Sequence, residues 1–311
     1  MGKYIVKNLM KLINLIPEMK GTESRCCPHC ESQHVVKNGK SSGKQRYICK
    51  ECGATFNDYT STILSMTHYP EKWPVFIECT LKGFTLRKSA KETKVSYVTL
   101  FYWRHKLLTA LKEIKDERMG DVVELTDIYM GYSEKGNRHI QGRESKGHGS
   151  GYSPLNLYRD KICVLIAKDH NNNAVSKAFF DKSITKENLI ELLDELVDKK
   201  TILCTNNRPV YVQFSRYEKV KQYRIHNSIY NLLGKYNIED VKKYANGFKK
   251  WLFNFRGVAS KYLNNYISCY KFLNSINFDE TIDGVKKMLR AAIRQKVDET
   301  YTSVSKVKCA W

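Results

Sequence analysis

Four cysteines near the start of the chain have the type and spacing to bind a metal ion. They form two Cys-x2-Cys pairs with eighteen residues between them, Cys27 with Cys30 and Cys49 with Cys52. Each pair can place two thiolates on one side of a tight turn, and two such turns complete a tetrahedron of sulfur ligands. The spacing therefore predicts a closed Zn²⁺ site with a structural role. The alternative is a reduced cysteine cluster without metal.

Three further residues beside these pairs are not expected to be ligands. Cys26 is a spare thiol, and His29 and His34 are not needed because four thiolates already satisfy the ion. The sequence between the two pairs predicts a hairpin that would hold them together, because apolar and β-prone residues alternate with turn residues. The expected strands cover 35–36 and 46–48, and the expected turns cover 38–39 and 42–43.

The chain carries a large excess of positive charge. It has 53 Lys and Arg against 32 Asp and Glu, which gives a net charge of +21, and 39 of the basic residues are lysine. Such an excess indicates a polyanionic partner, most simply nucleic acid, and lysine suits contacts to phosphate. An AT-rich genome would also raise the lysine content. No apolar run is long enough to span a membrane, and Lys7 and Lys11 interrupt the N-terminal apolar residues, so we expect a cytoplasmic, nucleoid-associated protein without a membrane partner.

Three helices with a tight turn are predicted after the cysteine region. Pro70 and Pro74 bracket the start of a helix that ends at Gly83, a second short helix begins at Leu86, and Ser96 is a good N-cap for a longer third helix. This helix-turn-helix layout would place the start of the third helix in the DNA major groove. A generic three-helix packing unit is the alternative. The candidate DNA contacts are Arg87, Lys88, Tyr97, Thr99, Tyr102, Arg104 and His105.

The remaining pattern predicts a multi-domain α/β protein. Apolar residues at helical spacing indicate an amphipathic helix within residues 1–24, which would pack on a neighbouring domain or protomer; a transit peptide or a membrane-surface helix is the alternative. Residues 57–70 are polar and are expected to form a linker. From residue 120 onward, strands mix with helices and indicate an α/β domain. The predicted segments are 1–24 (helix), 25–60 (zinc ribbon), 68–116 (helix-turn-helix), 120–275 (mixed-sheet domain) and 276–311 (C-terminal helical tail).

Four stretches of sequence in this order resemble a known family. They are CPHC with KNGK and QRYICKECGATFN, then TLRKSAKETKVSYVTLFYWRHKLL, then VVELTDIYM with KGNR, and finally FRGVASKYLNNY. Together they resemble the DDE transposases of bacterial insertion sequences that carry an N-terminal zinc ribbon. The resemblance covers residues 26 to about 275. It implies an RNase H-like catalytic domain, binding to double-stranded DNA at terminal inverted repeats, and a homo-oligomer on that DNA.

The resemblance also implies a catalytic site made of carboxylates. Such enzymes cut and join DNA with two divalent metal ions about 3.5–4 Å apart, which hard oxygen ligands hold. The family places one Asp in the first strand, a second Asp after the fourth strand and a further ligand on a later helix. The first Asp falls on Thr126 and the second on Asn206. Mg²⁺ is therefore expected only if the site is functional.

The matched helix departs from the family pattern as well. Lys242 stands where the family has an Asn, Asn246 lies one turn further on, and the family's Lys is kept as Lys249. Two acids lie near Thr126 in the first strand. Because side chains alternate along a strand, Asp127 should point to the opposite face, while Glu124 should share the face of Thr126 about 7 Å away.

Three functions remain open from the sequence. The chain is an active transposase with a rearranged metal site, a transposase-derived DNA-binding protein or regulator that no longer cuts, or an unrelated zinc-ribbon transcription regulator. The FRGVASKYLNNY stretch disfavours the third. The two substituted acids favour the second, since removing two carboxylates leaves the charge of two metal ions without compensation.

Overall fold

The computed structural model describes residues 8–16, 25–41, 43–137, 161–180, 183–225, 236–276 and 281–307. The chain divides into two compact units. The first unit contains residues 1–114 together with 276–306, and the second contains residues 115–275 with 307–311. Within the described ranges, no helix is both long and apolar enough to cross a membrane.

The first unit begins with a short segment that packs inside the same unit. Residues 8–16 are helical and end in the 3₁₀ turn Leu12–Leu15. Leu9, Leu12, Ile13 and Ile16 are buried, and the turn contacts the first long helix of the unit. Residues 8–16 of the predicted 1–24 segment therefore cover the core of their own unit and not a neighbouring domain or protomer, and residues 1–7 and 17–24 lie outside the described ranges.

A three-stranded antiparallel sheet surrounds the cysteine pairs. Its strands are β1 (Val35–Ser41), β2 (Lys44–Cys49) and β3 (Thr55–Asn57), in that order. A small core of Tyr47 and Phe56, whose ring centroids are 5.7 Å apart, packs with the buried cysteines. The expected turn at 38–39 is wrong: β1 continues through it, and the register shifts there as in a β-bulge. Gly39 has φ +63°, a backbone conformation that glycine adopts without strain.

Three helices follow the ribbon, as the sequence predicted. They are α1 (Trp73–Leu81), α2 (Leu86–Thr93) and α3 (Tyr97–Lys112). The side chain of Ser96 accepts a hydrogen bond from the Thr99 amide and so begins α3, as expected for an N-cap. The rings of Trp73 and Trp103 stack with centroids 4.7 Å apart and fix α3 against α1.

The expected linker at residues 57–70 is wrong. Ile63 and Leu64 are fully buried, and the backbone carbonyl of Ser65 accepts a hydrogen bond from the Lys106 ammonium group. The two apolar side chains bury their surface in the first unit, which stabilises this irregular segment more than its polar composition suggests. The segment is therefore not a free linker: it begins at the end of β3, and its residues 63–65 pack in the first unit.

The second unit is built on a five-stranded mixed sheet. The strands are β4 (Val122–Gly131), β5 (Lys161–Asp169), β6 (Ala174–Phe179), β7 (Ile202–Thr205) and β8 (Lys221–Arg224). Their order is β6-β5-β4-β7-β8, with β4 antiparallel to β5 and parallel to β7. This mixed sheet confirms the predicted fold class.

Helices cover both faces of the sheet in the second unit. Helices α4 (Lys186–Leu193) and α5 (Pro209–Glu218) bury apolar side chains against Val123 and Leu125. Helix α6 (Glu239–Phe253) packs on β4 and β5, and α7 (Leu263–Ser275) packs on β6. Side chains alternate along β4, so its odd-numbered residues face α4 and α5 while Glu124 faces α6.

The C-terminal helices belong to the first unit. Helix α8 (Thr281–Ile293) packs on α1 and α3, and the short helix α9 (Tyr301–Lys306) contacts α3. The buried side of α8 consists of apolar residues at helical spacing, including Val285, Met288 and Leu289. The predicted C-terminal tail therefore completes the core around the helix-turn-helix instead of extending from it. The sequence did not indicate this, because a helix pattern does not say which surface the helix covers.

Candidate functional site

The four predicted cysteine ligands come together at one point in the ribbon. Their sulfur atoms all lie within 4.8 Å of one another. The Sγ atoms of Cys27 and Cys52 are 3.6 Å apart, and those of Cys30 and Cys49 are 3.5 Å apart. A tetrahedral ion with metal–sulfur bonds of about 2.3 Å needs sulfur–sulfur distances of about 3.8 Å. The cluster could therefore hold a metal ion with only a small adjustment.

Backbone hydrogen bonds and neighbouring sulfurs shift the pKa values of the thiols in the cluster in opposite directions. The backbone N–H of Cys52 donates to the Cys49 sulfur and lowers the pKa of that thiol to about 6. The backbone N–H of His29 lies 3.4 Å from the Cys27 sulfur. His34 pairs with the carboxylate of Glu51 at 2.7 Å, which agrees with its exclusion as a ligand. The Ser32 backbone amide lowers the pKa of Cys30, but hydrogen bonds to the other sulfurs and burial outweigh it and raise that pKa to about 12, and the pKa of Cys52 is raised as well. The cluster thus has the sulfur donors of a four-thiolate site.

The start of helix α3 presents side chains to solvent. Tyr97 and Val98 are exposed, and Thr99 is half-buried at the N-terminal end of the helix. On α2, Arg87 and Lys88 are exposed. The Lys88 ammonium group lies 3.6 Å from the centre of the Phe84 ring, which holds this charge close to the protein surface.

Two of the predicted DNA contacts are wrong, because Arg104 and His105 are buried. They are 3% and 2% exposed. The Arg104 guanidinium donates to the backbone carbonyl of Phe84 at 2.9 Å, and the His105 ring lies 4.5 Å from the Phe101 ring. Both residues fall on the side of α3 that faces the other helices. They therefore hold α3 against its neighbours, and their buried side chains are not available for contacts to bases.

Tyr102 has a partner that the sequence did not indicate. Its ring packs against the ring of Tyr301 on α9, with centroids 4.6 Å apart, and Tyr102 is only half-buried. Glu299, just before α9, accepts a hydrogen bond from the hydroxyl group of Thr109 on α3 at 3.2 Å. The C-terminal segment is thus tied to the same side of α3 as Tyr102.

The two residues matched to the family's catalytic acids each lie one residue past the last pair of β4 with β7. Parallel pairing of these strands ends with Leu125 opposite Thr205. Thr126 and Asn206 are the next residue of each segment, and Asn206 follows the end of β7. Thr126 is 7% exposed, and the buried side-chain oxygen of Asn206 has no hydrogen-bond partner among the described residues. The pair offers a hydroxyl and an amide where the family has two carboxylates.

Asp127 is held on the opposite face of the sheet, as expected from strand alternation. One of its oxygens accepts a hydrogen bond from the Tyr211 hydroxyl at 2.6 Å, and the other pairs with Arg208. Arg208 also donates to the Tyr129 hydroxyl at 3.0 Å. Both oxygens of Asp127 are therefore engaged on the side of α5, away from Thr126.

Glu124 shares the face of Thr126 and joins β4 to helix α6. It is 1% exposed, and one carboxylate oxygen accepts a hydrogen bond from the Val241 amide at 2.9 Å. The other oxygen lies 3.5 Å from a ring nitrogen of His170. Burial raises the pKa of Glu124. The sequence did not indicate that His170 belongs here, because it lies far along the chain and carries no motif.

The helix residues matched to the family pattern lie on the exposed side of α6. Lys242, Asn246 and Lys249 follow one another at helical spacing and are exposed. The buried side of the same helix carries Val241 and Ala245. Two of the three exposed side chains are therefore cationic, and the third is a neutral amide.

Comparisons with known proteins show which family the chain resembles. Residues 118–273 match the family model described as the ISXO2-like transposase domain. A protein described as an uncharacterized protein in transposable element ISH50 of Halobacterium salinarum is 23% identical over 286 residues, which cover 90% of this chain and 95% of that relative.

Two solved structures are also similar to parts of the chain. One is a simian T-cell lymphotropic virus intasome in complex with PP2A regulatory subunit B56 gamma, with 11% identity, 67% of this chain and 69% of that chain covered, and a TM-score of 0.30. The other is a pre-cleavage Mos1 transpososome, with 12% identity, 65% and 79% covered, and a TM-score of 0.25. Both TM-scores are low, and neither match supports a statement about the site.

The match to the family model identifies the family of the chain. It covers half of the chain and contains the whole mixed sheet together with helices α4 to α6 and most of α7. The resemblance drawn from the sequence motifs is thereby confirmed, and the chain belongs to the family of DDE transposases with an ISXO2-like transposase domain.

Proposed function

We propose that this chain binds transposon-end DNA and does not carry out metal-dependent cleavage or strand transfer. The observation that carries the proposal is the pair of neutral side chains, Thr126 and Asn206, which directly follow the last pair of β4 with β7. The DNA ligand would be the terminal inverted repeats of the element, and a homo-oligomer would assemble on them. A chain that binds this DNA without cutting it would act as a transposase-derived regulator.

The chemistry of the matched positions supports the loss of cleavage. Two divalent ions bring four positive charges, and carboxylates normally compensate for most of them. A hydroxyl and an amide supply oxygen ligands without charge, so Thr126 and Asn206 do not fit a pair of Mg²⁺ ions. Of the neighbouring acids, Asp127 is engaged by Arg208 and Tyr211 on the opposite face of the sheet. Glu124 accepts from the Val241 amide through one oxygen, while its other, buried oxygen has no hydrogen-bond partner among the described residues. One carboxylate on this face does not compensate for four positive charges.

We also infer that the metal of the cysteine cluster is Zn²⁺ and that its role is structural. Four thiolates form a soft ligand set, which favours zinc over hard cations. Four protein ligands fill a tetrahedron, so no position remains open for a substrate. Zinc would hold together a ribbon whose apolar core is small.

DNA binding is supported by charge and by the surface of α3. The net charge of +21 favours a polyanion, and Tyr97 at the start of α3 is 57% exposed. The exposed cations Arg87 and Lys88 lie on the preceding helix, where they can contact the DNA backbone. Together they form a surface on which phosphate contacts would position the chain and α3 would read the bases.

Replacing Tyr97 by alanine should reduce the preference for transposon-end DNA. A lost base contact typically costs about 1–3 kcal/mol, so the affinity for a cognate duplex should fall about 5- to 150-fold, while the affinity for a scrambled duplex changes little. Fluorescence anisotropy with both duplexes at several salt concentrations measures this. Binding of the unaltered chain should weaken steeply as salt rises, because phosphate contacts release counterions.

The matched control is Tyr217→Ala, because Tyr217 is a tyrosine of similar exposure, 59%, in the second unit. It should leave both affinities unchanged. Equal binding of the cognate duplex by the Tyr97→Ala protein and the unaltered chain would show that α3 does not read the DNA in this way.

A further inference from the structure

The ribbon has a polar cavity on the sheet face opposite its cysteine cluster. Its volume is about 370 Å³. We call it the ribbon cleft, and its polar lining consists of Ser41, Lys44, Arg46, Thr55, Asn57 and Thr60. The zinc site does not use these side chains, and neither does helix α3.

Strand register places the two cations of the cleft on one face. Lys44 and Arg46 are two residues apart on β2, so their side chains point the same way. Lys44 pairs with Ser41 on β1, and Arg46 pairs with Asn57 on β3. The alternate residue Tyr47 points to the other face, into the core around the cysteines. The cleft is therefore a surface distinct from the metal cluster.

Among the described residues, no Asp or Glu lines the cleft, although Asp58 and Glu71 act on the neighbouring Tyr59. Residues 32–50 contain five Lys and Arg and no Asp or Glu. The acids that flank the strands are engaged elsewhere, since Glu51 pairs with His34 and Asp58 pairs with Arg25 at 3.0 Å. A concave surface with two cations and no acid attracts an anion.

The remaining side chains of the cleft suit the oxygens of a phosphate group. The hydroxyls of Ser41 and Thr55 can donate hydrogen bonds beside the two cations. The Lys44 ammonium group lies 4.2 Å from the centre of the Tyr59 ring, which holds this flexible side chain at the cleft. Asn57 and Thr60 are fixed by their own turn, in which the backbone N–H of Asn57 donates to the Thr60 hydroxyl at 3.1 Å.

We propose that the ribbon cleft binds a backbone phosphate of duplex DNA, which makes the ribbon a second DNA-contacting surface beside α3. The inference rests on the proposed function, because it takes DNA as the polyanion. Lys44 and Arg46 compensate for the phosphate charge, and the hydroxyls donate to its free oxygens. The contact adds affinity without reading sequence, since every nucleotide carries the same phosphate.

The double variant Lys44→Gln/Arg46→Gln of the full chain tests this contact. Each lost phosphate contact should lower the slope of log affinity against log salt by about 0.9, so the loss of the single phosphate in the cleft should lower the slope by about 0.9 in magnitude. The affinities for cognate and scrambled duplexes should fall by the same factor. The control is Lys199→Gln/Lys200→Gln, which removes the same charge from an exposed site near Asp194, Glu195 and Asp198 in the second unit.

The outcomes separate this inference from the proposed function. If the unaltered chain binds DNA and the cleft variant keeps the slope and affinity of the control, the cleft inference is overturned while DNA binding stands. If the unaltered chain binds neither duplex, the proposed function itself fails. Zinc content per chain checks that the ribbon is intact. The charge-preserving variant Arg46→Lys should keep the slope, and a loss of slope there would also contradict a phosphate contact made through charge.

Discussion

Replacing Thr126 and Asn206 together by aspartate is expected to create a binding site for Mn²⁺ or Mg²⁺ at the C-terminal end of β7. The two positions each follow the last pair of the parallel register, Leu125 with Thr205, and we expect both new carboxylates to reach the same ion. Either replacement alone should do little, because residues that act as a unit are not additive. Isothermal titration calorimetry with Mn²⁺ on the two single variants and the double variant measures the effect.

The two new aspartates should also make the thermal stability of the double variant depend on metal. Two carboxylates side by side repel each other and are costly to bury, so the double variant should melt at a lower temperature than the unaltered chain without Mn²⁺. Added Mn²⁺ should raise its melting temperature by binding the folded state. Adding Lys242→Asn removes a cation from the matched helix and should strengthen the binding further.

A neutral variant provides the control for this experiment. Thr126→Asn places an amide beside the amide of Asn206 and adds oxygen ligands without charge, so it should bind Mn²⁺ no better than the unaltered chain. Mn²⁺ binding by the unaltered chain as tight as that of the double variant would show that the neutral pair suffices and that the reasoning from charge is wrong.

Replacing Cys49 by alanine is expected to release the metal and unfold the ribbon. The ribbon core consists of Tyr47 and Phe56 with the buried cysteines, and so small a core does not offset the chain entropy of some thirty residues. Structural zinc contributes about 10–16 kcal/mol of binding free energy in peptides of this kind, and one lost ligand removes most of it. Zinc should fall from about one ion per chain to none.

The second unit should survive this substitution, because it has its own core around Leu125, Leu165 and Leu203. Circular dichroism would then retain the melting transition of the sheet, while limited proteolysis would cut within residues 25–60. Cys26→Ala is the control, since Cys26 is exposed and is not part of the cluster. A full complement of zinc in the Cys49→Ala protein, or none in the reduced unaltered chain, would contradict a four-thiolate zinc site.

Local signals predicted the parts of the fold that depend on neighbouring residues. The cysteine spacing fixes which sulfurs can meet, and the Ser96 hydroxyl caps α3 through an amide three residues away. The family motifs matched Thr126 and Asn206 to the two catalytic Asp positions. The register of β4 with β7 ends one residue before each of them. These features need no knowledge of how distant segments pack.

Features that depend on distant packing could not be predicted in the same way. Arg104 looked like a DNA contact because basic residues usually lie on the surface, yet it is buried where its guanidinium satisfies the Phe84 carbonyl. The Arg208 pairing that engages Asp127 joins residues 81 positions apart. Helix α8 completes the first unit although the whole second unit separates it from α3 in sequence.

A cleavage assay with the unaltered chain tests the loss of catalysis most directly. The substrate is a duplex with candidate terminal inverted repeats taken from the DNA that flanks the gene, incubated with Mg²⁺ or Mn²⁺ and analysed for cut and joined strands. We expect the chain to bind this duplex and to form neither product. Metal-dependent cleavage that disappears in Glu124→Ala or Asp127→Ala would contradict this expectation, because a neighbouring acid would then have replaced the missing carboxylates in a working transposase.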